Sequence, residues 1–225
     1  MVSSKLEYED AIEFGVKPEK LWIIPMGVDV EAWPDCEKQN PDRPLQVLFV
    51  GRLARVRRVE LLLQALKRVD IPFHATIVGG EEKTSSLSRS GYFRELESLS
   101  IGLGLNGLVE FVGPQTGDRL KAFYRASDVF VYPSLYENFG QPILEAAASG
   151  LPVICTDVGV ARELVKSGET GFIVPGEPGE ISKKIMELGD SVTRKDFGRT
   201  IQKRVENNFG WNKIMKDYLA LYESL

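Results

Sequence analysis

Short apolar runs alternate with amphipathic stretches along most of this chain. Residues 45–50, 73–78, 108–112, 129–132, 151–156 and 172–174 are almost continuously apolar, as strands buried on both faces are. Between the first two, Val59, Leu62, Leu63, Leu66 and Val69 recur at helical spacing, which predicts a helix over 59–69. Tyr92, Leu96, Leu99 and Leu103 mark a second helix, and residues 117–126 a third. A short helix over 143–149 closes at Gly150, and further helices fall near 160–166, 178–188 and 194–207. Strand followed by helix, repeated at least five times, predicts an α/β fold: a Rossmann-like, doubly wound parallel sheet with ligands at the C-terminal strand ends. Gly51-Arg52, Gly79-Gly80, Gly113-Pro114 and Pro133-Ser134 stand at such ends.

The two ends of the chain are patterned differently. Residues 1–20 carry a short helical pattern (Leu6, Tyr8, Ile12, Phe14) ending at Gly15. A short strand is expected at 21–25, a turn at 26–29, and polar loops at 34–44 and 81–91, the second of them mobile. In the last segment Trp211, Ile214, Met215, Tyr218, Leu219 and Tyr222 share one helical face, which reads first as core packing.

Composition narrows the function. The 225 residues suit one α/β domain with appendages, and 43% hydrophobic with 27% charged residues is an ordinary globular balance. A net charge of −4 and a pI near 5.3 argue against general nucleic-acid binding. Cys36 and Cys155 cannot build a disulfide framework or a zinc site. His74, the one histidine, rules out a multi-histidine metal site and reads as structural. No apolar run approaches the roughly 18 residues of a membrane span, and no signal peptide is visible, so a cytoplasmic location is expected.

The chemistry concentrates in residues 133–159, PSLYENFGQPILEAAASGLPVICTDVG. A strand runs out at Pro133, a loop follows to Gly140, and Pro142 sits where a first-turn proline is tolerated. A helix N-terminus offers unpaired N–H groups and partial positive charge, which suits phosphate. Gly140 lets a ligand approach the backbone, while Glu137 and Glu145 bracket the turn as acceptors for hydroxyl groups. That combination suits a nucleotide sugar; an exposed loop with two surface glutamates fits the same residues. After the first strand Arg52, Arg55, Arg57 and Arg58 form a cationic cluster that suits a diphosphate, or is a solvated basic loop. Thr156 and Asp157 end a strand, either lining the cleft or making a turn, and Gly171 reads as a turn before a strand. Ser134 lacks a G-x-S-x-G context, which disfavours a hydrolase triad.

Seven residues separate Glu137 from Glu145. The run resembles the E-x7-E motif of retaining glycosyltransferases of the GT-B fold, in the family that includes sucrose-phosphate synthases and bacterial mannosyltransferases. Residues 15–29, GVKPEKLWIIPMGVD, resemble the family's entry to its second domain, with Met26 where Asn is usual. The resemblance implies the C-terminal half of a GT-B fold. Residues 21–209 would be the nucleotide-sugar-binding domain, 1–20 a helical lead-in, and 210–225 a helix packing on an absent N-terminal domain.

It also implies roles. Glu145 would bind the ribose and Glu137 the sugar hydroxyls. The N–H groups of Asn138, Phe139, Gly140 and Gln141 would meet sugar and phosphate. Gly51, Gly113 and Ile143 would line the nucleotide. The family's G-R-L-x-x-x-K-G places Arg52 and Arg57 on the diphosphate; Arg58 replaces its glycine, putting bulk where a close backbone approach is normal. Gly79-Gly80 resembles the sucrose-phosphate synthase variant, and equally a plain turn.

The implied donor is a UDP-, GDP- or ADP-sugar, used without a metal or other cofactor. The implied partner is an acceptor-binding N-terminal domain, in cis or in trans, through which membrane association would arise. Alone, the chain is expected to be inactive. A non-catalytic nucleotide-sugar-binding or assembly module, motivated by Met26, Arg57 and Arg58, is the alternative; a sugar-nucleotide epimerase fits the motif less well.

Overall fold

The computed structural model describes residues 1–33, 43–81 and 91–224. Most of the two polar loops, and Cys36, lie outside them. Leu45–Val50 (β1), Phe73–Val78 (β2), Val109–Gly113 (β3), Val129–Tyr132 (β4), Val153–Cys155 (β5) and Gly171–Ile173 (β6) form one parallel sheet, in the order β3-β2-β1-β4-β5-β6. The chain starts at the middle of the sheet, winds out to β3, returns to β4 and winds out the other way. This is the doubly wound arrangement that the alternation predicts. Its switch point lies between β1 and β4, the position at which open α/β sheets bind their ligands.

The helices are Lys5–Glu13 (α1), Val59–Leu66 (α2), Tyr92–Gly102 (α3), Gly117–Ala126 (α4), Gln141–Ala148 (α5), Ala161–Leu164 (α6), Pro178–Glu187 (α7), Ser191–Phe209 (α8) and Trp211–Glu223 (α9). They cover the sheet, so Leu48, Phe49, Val129, Phe130 and Val131 are fully buried. Each such side chain contributes about 1.5–3 kcal/mol of hydrophobic stabilisation, which is why these strands are apolar runs rather than alternating ones. Among the described residues no helix is long and apolar enough to cross a membrane.

Several boundaries move for identifiable reasons. α2 stops at Leu66 because the chain tightens there, with Arg68 N bonded to Ala65 O and Val69 N to Leu66 O. α5 begins two residues earlier than its apolar pattern, because Gly140 caps it at φ +88°. It ends as expected: Gly150 adopts φ +71°, and the N–H groups of Gly150 and Leu151 bond to Ala147 O and Ala146 O, both at 3.0 Å. Gly171 lies in β6 itself rather than in a turn before it; at φ +151°, a Cβ there would overlap Val153 O.

The strand expected at 21–25 is reduced to one parallel bridge, Val2 to Ile23, because among the described residues only Val2 offers its backbone to this segment. Trp22 and Ile23 are exposed and Ile24 alone of these three is buried. His74 lies exposed on β2. On α9 only Ile214 is buried, while Trp211, Met215, Leu219 and Tyr222 are exposed, so the core-packing reading of that stripe fails for four of its residues.

Candidate functional site

The loops leaving β1 and β4 meet at the switch point. Ser134, fully buried, joins them: its hydroxyl lies 3.1 Å from Val56 O and 3.0 Å from Tyr136 O, and Arg57 donates to it at 3.2 Å. Leu135 N adds a 2.7 Å bond to Val56 O. Arg57 also forms an ion pair with Glu137 and donates to Tyr136 O at 3.0 Å. Its guanidinium stands 5.9 Å over the Tyr132 ring.

Tyr132 Oη donates to Glu137 at 2.5 Å. Burial, then the Glu137 carboxylate, push the Tyr132 hydroxyl above its usual range, while Arg57 and Arg52 pull it back. The net shift upward keeps it a donor. Glu137 is therefore held from two sides, with its side chain 11% exposed.

The four arginines do not converge. Arg52 is exposed at the end of β1, and its charge is felt at Tyr132. Arg55 turns away to Glu95, at 2.9 and 2.6 Å, and lies 5.0 Å over Tyr92. Arg58 is the only non-glycine with positive φ among the described residues, at +49°. Its Nε donates to Pro133 O at 2.9 Å, and its guanidinium lies over Gly176, where a Cβ would collide with it. What this position requires is thus a left-handed backbone, and the bulky side chain is accommodated by Pro133 and Gly176.

At the start of α5, the N–H groups of Asn138, Phe139, Gly140 and Gln141 meet no protein acceptor among the described residues. The carbonyls of the same loop are taken: Asn138 O accepts from Ser4 Oγ at 2.7 Å and Phe139 O from Val160 N at 2.7 Å. Gln141 also carries a buried Oε1 without a hydrogen-bond partner among the described residues. One turn on, Glu145 accepts from Tyr124 Oη at 2.9 Å. Burial raises the Glu145 carboxyl above its ordinary range, against the donors Tyr124 and Gln141. Burial and Glu145 raise the Tyr124 hydroxyl in turn. Trp33 meets the Tyr124 ring edge-on at 5.3 Å.

The remaining expected residues are spread. Gly51 follows β1 against the Phe49 and Tyr132 rings. Gly79, at φ +147°, packs so closely that a Cβ would overlap Gly51 O. Gly113 ends the edge strand β3 at φ +70°, with open space where a Cβ would point. Ile143 is fully buried and supports Gly140 from beneath, 3.3 Å from where its Cβ would be, so it does not line a surface. Thr156 Oγ1 donates to Ser134 O at 2.5 Å, and Asp157 pairs with Arg162 at 2.7 and 2.8 Å; both serve the loops. Among the described residues no group of three His, Cys, Asp or Glu side chains is placed to hold a metal.

Sequence reasoning missed Tyr132, Tyr124 and Ser4. A tyrosine inside an apolar strand or on a buried helix face needs a partner for its hydroxyl, and that is the available signal. Ser4 carries none.

Residues 34–204 match the family model for Glycosyl transferases group 1. The D-inositol 3-phosphate glycosyltransferase of Geodermatophilus obscurus is 31% identical over 93% of this chain and 48% of its own length. An uncharacterized glycosyltransferase of Methanocaldococcus jannaschii is 31% identical over 99% of this chain and 58% of its own. The chain thus spans about half the length of the curated relatives it matches. Among solved structures, sucrose-phosphate synthase from Thermosynechococcus elongatus superposes with a TM-score of 0.86 at 28% identity, over 99% of this chain and 57% of that one. Anabaena HepE, determined in complex with UDP-glucose, shares the fold with a TM-score of 0.88 at 23% identity, over 100% of this chain and 63% of that one. On the family match and on this sheet, the chain belongs to the group 1 glycosyl transferases and has the C-terminal, Rossmann-like domain of their GT-B fold.

Proposed function

We propose that this chain is the donor-binding half of a retaining glycosyltransferase, which moves a hexose from a nucleoside diphosphate sugar to an acceptor hydroxyl. The observation that carries this reading is the row of open N–H groups from Asn138 to Gln141, set between Glu137 and Glu145 and beside Arg57. Glu145, braced by Tyr124, takes the ribose hydroxyls. The N–H row, Arg57 and Arg52 take the diphosphate, adding the positive end of α5. Without ligand, Arg57 is neutralised by Glu137. A diphosphate carries more charge than one carboxylate, so it draws Arg57 away and leaves Glu137 for the sugar hydroxyls.

In the reaction, the bond from the sugar's anomeric carbon to the β-phosphate oxygen breaks, and its electrons leave with the diphosphate. The acceptor oxygen bonds to that carbon from the same face, and its proton passes to the departing phosphate oxygen. Fixed positive charge stabilises the leaving group, with no metal assigned, and such charge stabilisation is usually the largest catalytic term. The acceptor side belongs to an N-terminal domain, in cis or in trans. The exposed apolar face of α9, with Trp22 and Ile23, supports a docking surface for it. The chain alone then binds donor and does not turn it over.

Calorimetric titration with UDP, GDP and ADP tests the reading. One nucleotide is expected to bind, and Glu145→Ala to weaken it about tenfold or more, the loss of a charge-assisted hydrogen bond. Failure of all three at millimolar concentration, or turnover by the chain alone, overturns it.

A further inference from the structure

We propose that the Ser4 hydroxyl positions the donor loop, although it lies far upstream of that loop in sequence. The proposal rests on the donor-site reading and adds a residue to it. Ser4 is fully buried, and its oxygen does two things. It accepts from Glu7 N at 3.1 Å, capping α1, and its single hydrogen goes to Asn138 O at 2.7 Å. The two uses draw on different parts of the hydroxyl, so they do not compete.

The geometry of the peptide bond carries the consequence. In a trans peptide the C=O of one residue and the N–H of the next point in opposite directions, and no described peptide is cis. Holding Asn138 O toward Ser4 therefore turns the Phe139 N–H outward. Holding Phe139 O toward Val160 N turns the Gly140 N–H outward in the same way. Gly159, at φ +47°, permits that second contact, because a Cβ there would overlap Phe139 O. The two open donors are thus aimed by two clamps, one from residues 159–160 and one from α1.

Three further contacts fix α1 around this point. Lys5 N donates to Glu163 Oε1 at 2.6 Å, Glu9 pairs with Arg162 at 2.6 Å, and Tyr136 Oη donates to Asp10 at 3.3 Å. Ser4 is a positioning residue: it touches the loop and not the donor.

The test separates aiming from folding. Ser4→Gly removes the donor while keeping most of the cap, since glycine is a tolerated N-cap, and Ser4→Thr keeps both functions. Wild type and both variants are titrated with UDP-glucose and UMP, with GDP-mannose and GMP, and with ADP-glucose and AMP, the comparison being made on the base that binds. Ser4→Gly is expected to weaken the sugar nucleotide about fivefold to tenfold, as for one lost hydrogen bond, leaving the monophosphate within about twofold. Ser4→Thr is expected to restore wild-type affinity. Unchanged binding of the sugar nucleotide by Ser4→Gly overturns the proposal, as does an equal loss for both ligands. Wild type that binds none of these ligands overturns the donor-site reading itself, an outcome distinct from either.

Discussion

Arg58 offers a direct test of what the backbone demands at the mouth of the site. At φ +49° and ψ +44° it occupies the left-handed region, which costs an L-residue with a Cβ about 1–2 kcal/mol. Comparison of Arg58→Gly with Arg58→Ala isolates that cost. Both variants lose the guanidinium, its bond to Pro133 O and its cover over Gly176, so those losses cancel between them. Glycine gains the relief of strain but brings a more flexible unfolded chain, a penalty of about 0.4–1 kcal/mol relative to alanine. Taken at the middle of those ranges, the glycine variant should therefore be the more stable by about 0.8 kcal/mol, or about 2–3 °C in Tm for a chain of this size. In an ordinary right-handed position the sign is reversed, with alanine ahead by about 0.5–1 kcal/mol. Urea unfolding of the three proteins, followed by circular dichroism, reads the difference. An alanine variant as stable as the glycine variant, or more so, refutes a left-handed requirement at this position.

Two further outcomes are expected. Glu145→Gln should raise stability at pH 7 while weakening nucleotide binding, because burial lifts the carboxyl above its ordinary range and the folded chain then binds more protons than the unfolded one. Stability from that group is present below the unfolded value and lost as pH rises through the folded one, so the advantage of the glutamine should close at and below about pH 4.5, measured by thermal melts across pH. On α9, Ile214→Ala should cost about 2–4 kcal/mol as a core truncation, whereas Leu219→Ser should stay within about 0.5 kcal/mol of wild type; equal losses in urea melts would show that the stripe packs on this chain after all.

The extent of what was legible follows from the range of the physics. β1, β2, β4 and α4 lie where the pattern puts them, because burial on both faces, or on one helical face, imposes a periodicity that any reader of the letters can see. The parallel, doubly wound character of the sheet followed from the alternation, whereas its strand order is seen only in the structure. The failures share one cause, which is that they depend on what lies next to the residue. The segment 21–25 has the composition of a strand, but among the described residues its backbone bridges only to Val2. The α9 stripe has the spacing of a core helix, and only Ile214 finds a core.

Within the site the same division holds. Glu137 and Glu145 are visible as letters at a fixed spacing, yet what makes each one a defined acceptor is a buried tyrosine from a different element, Tyr132 on β4 and Tyr124 on α4. Each tyrosine is pushed by burial further from ionising, so each remains a donor wherever its carboxylate is charged. A surface glutamate pair has no such bracing, and its side chains are free to sample many rotamers. Two braced carboxylates on either side of open backbone donors are what separate a preorganised polar site from the exposed-loop reading that the sequence alone left standing.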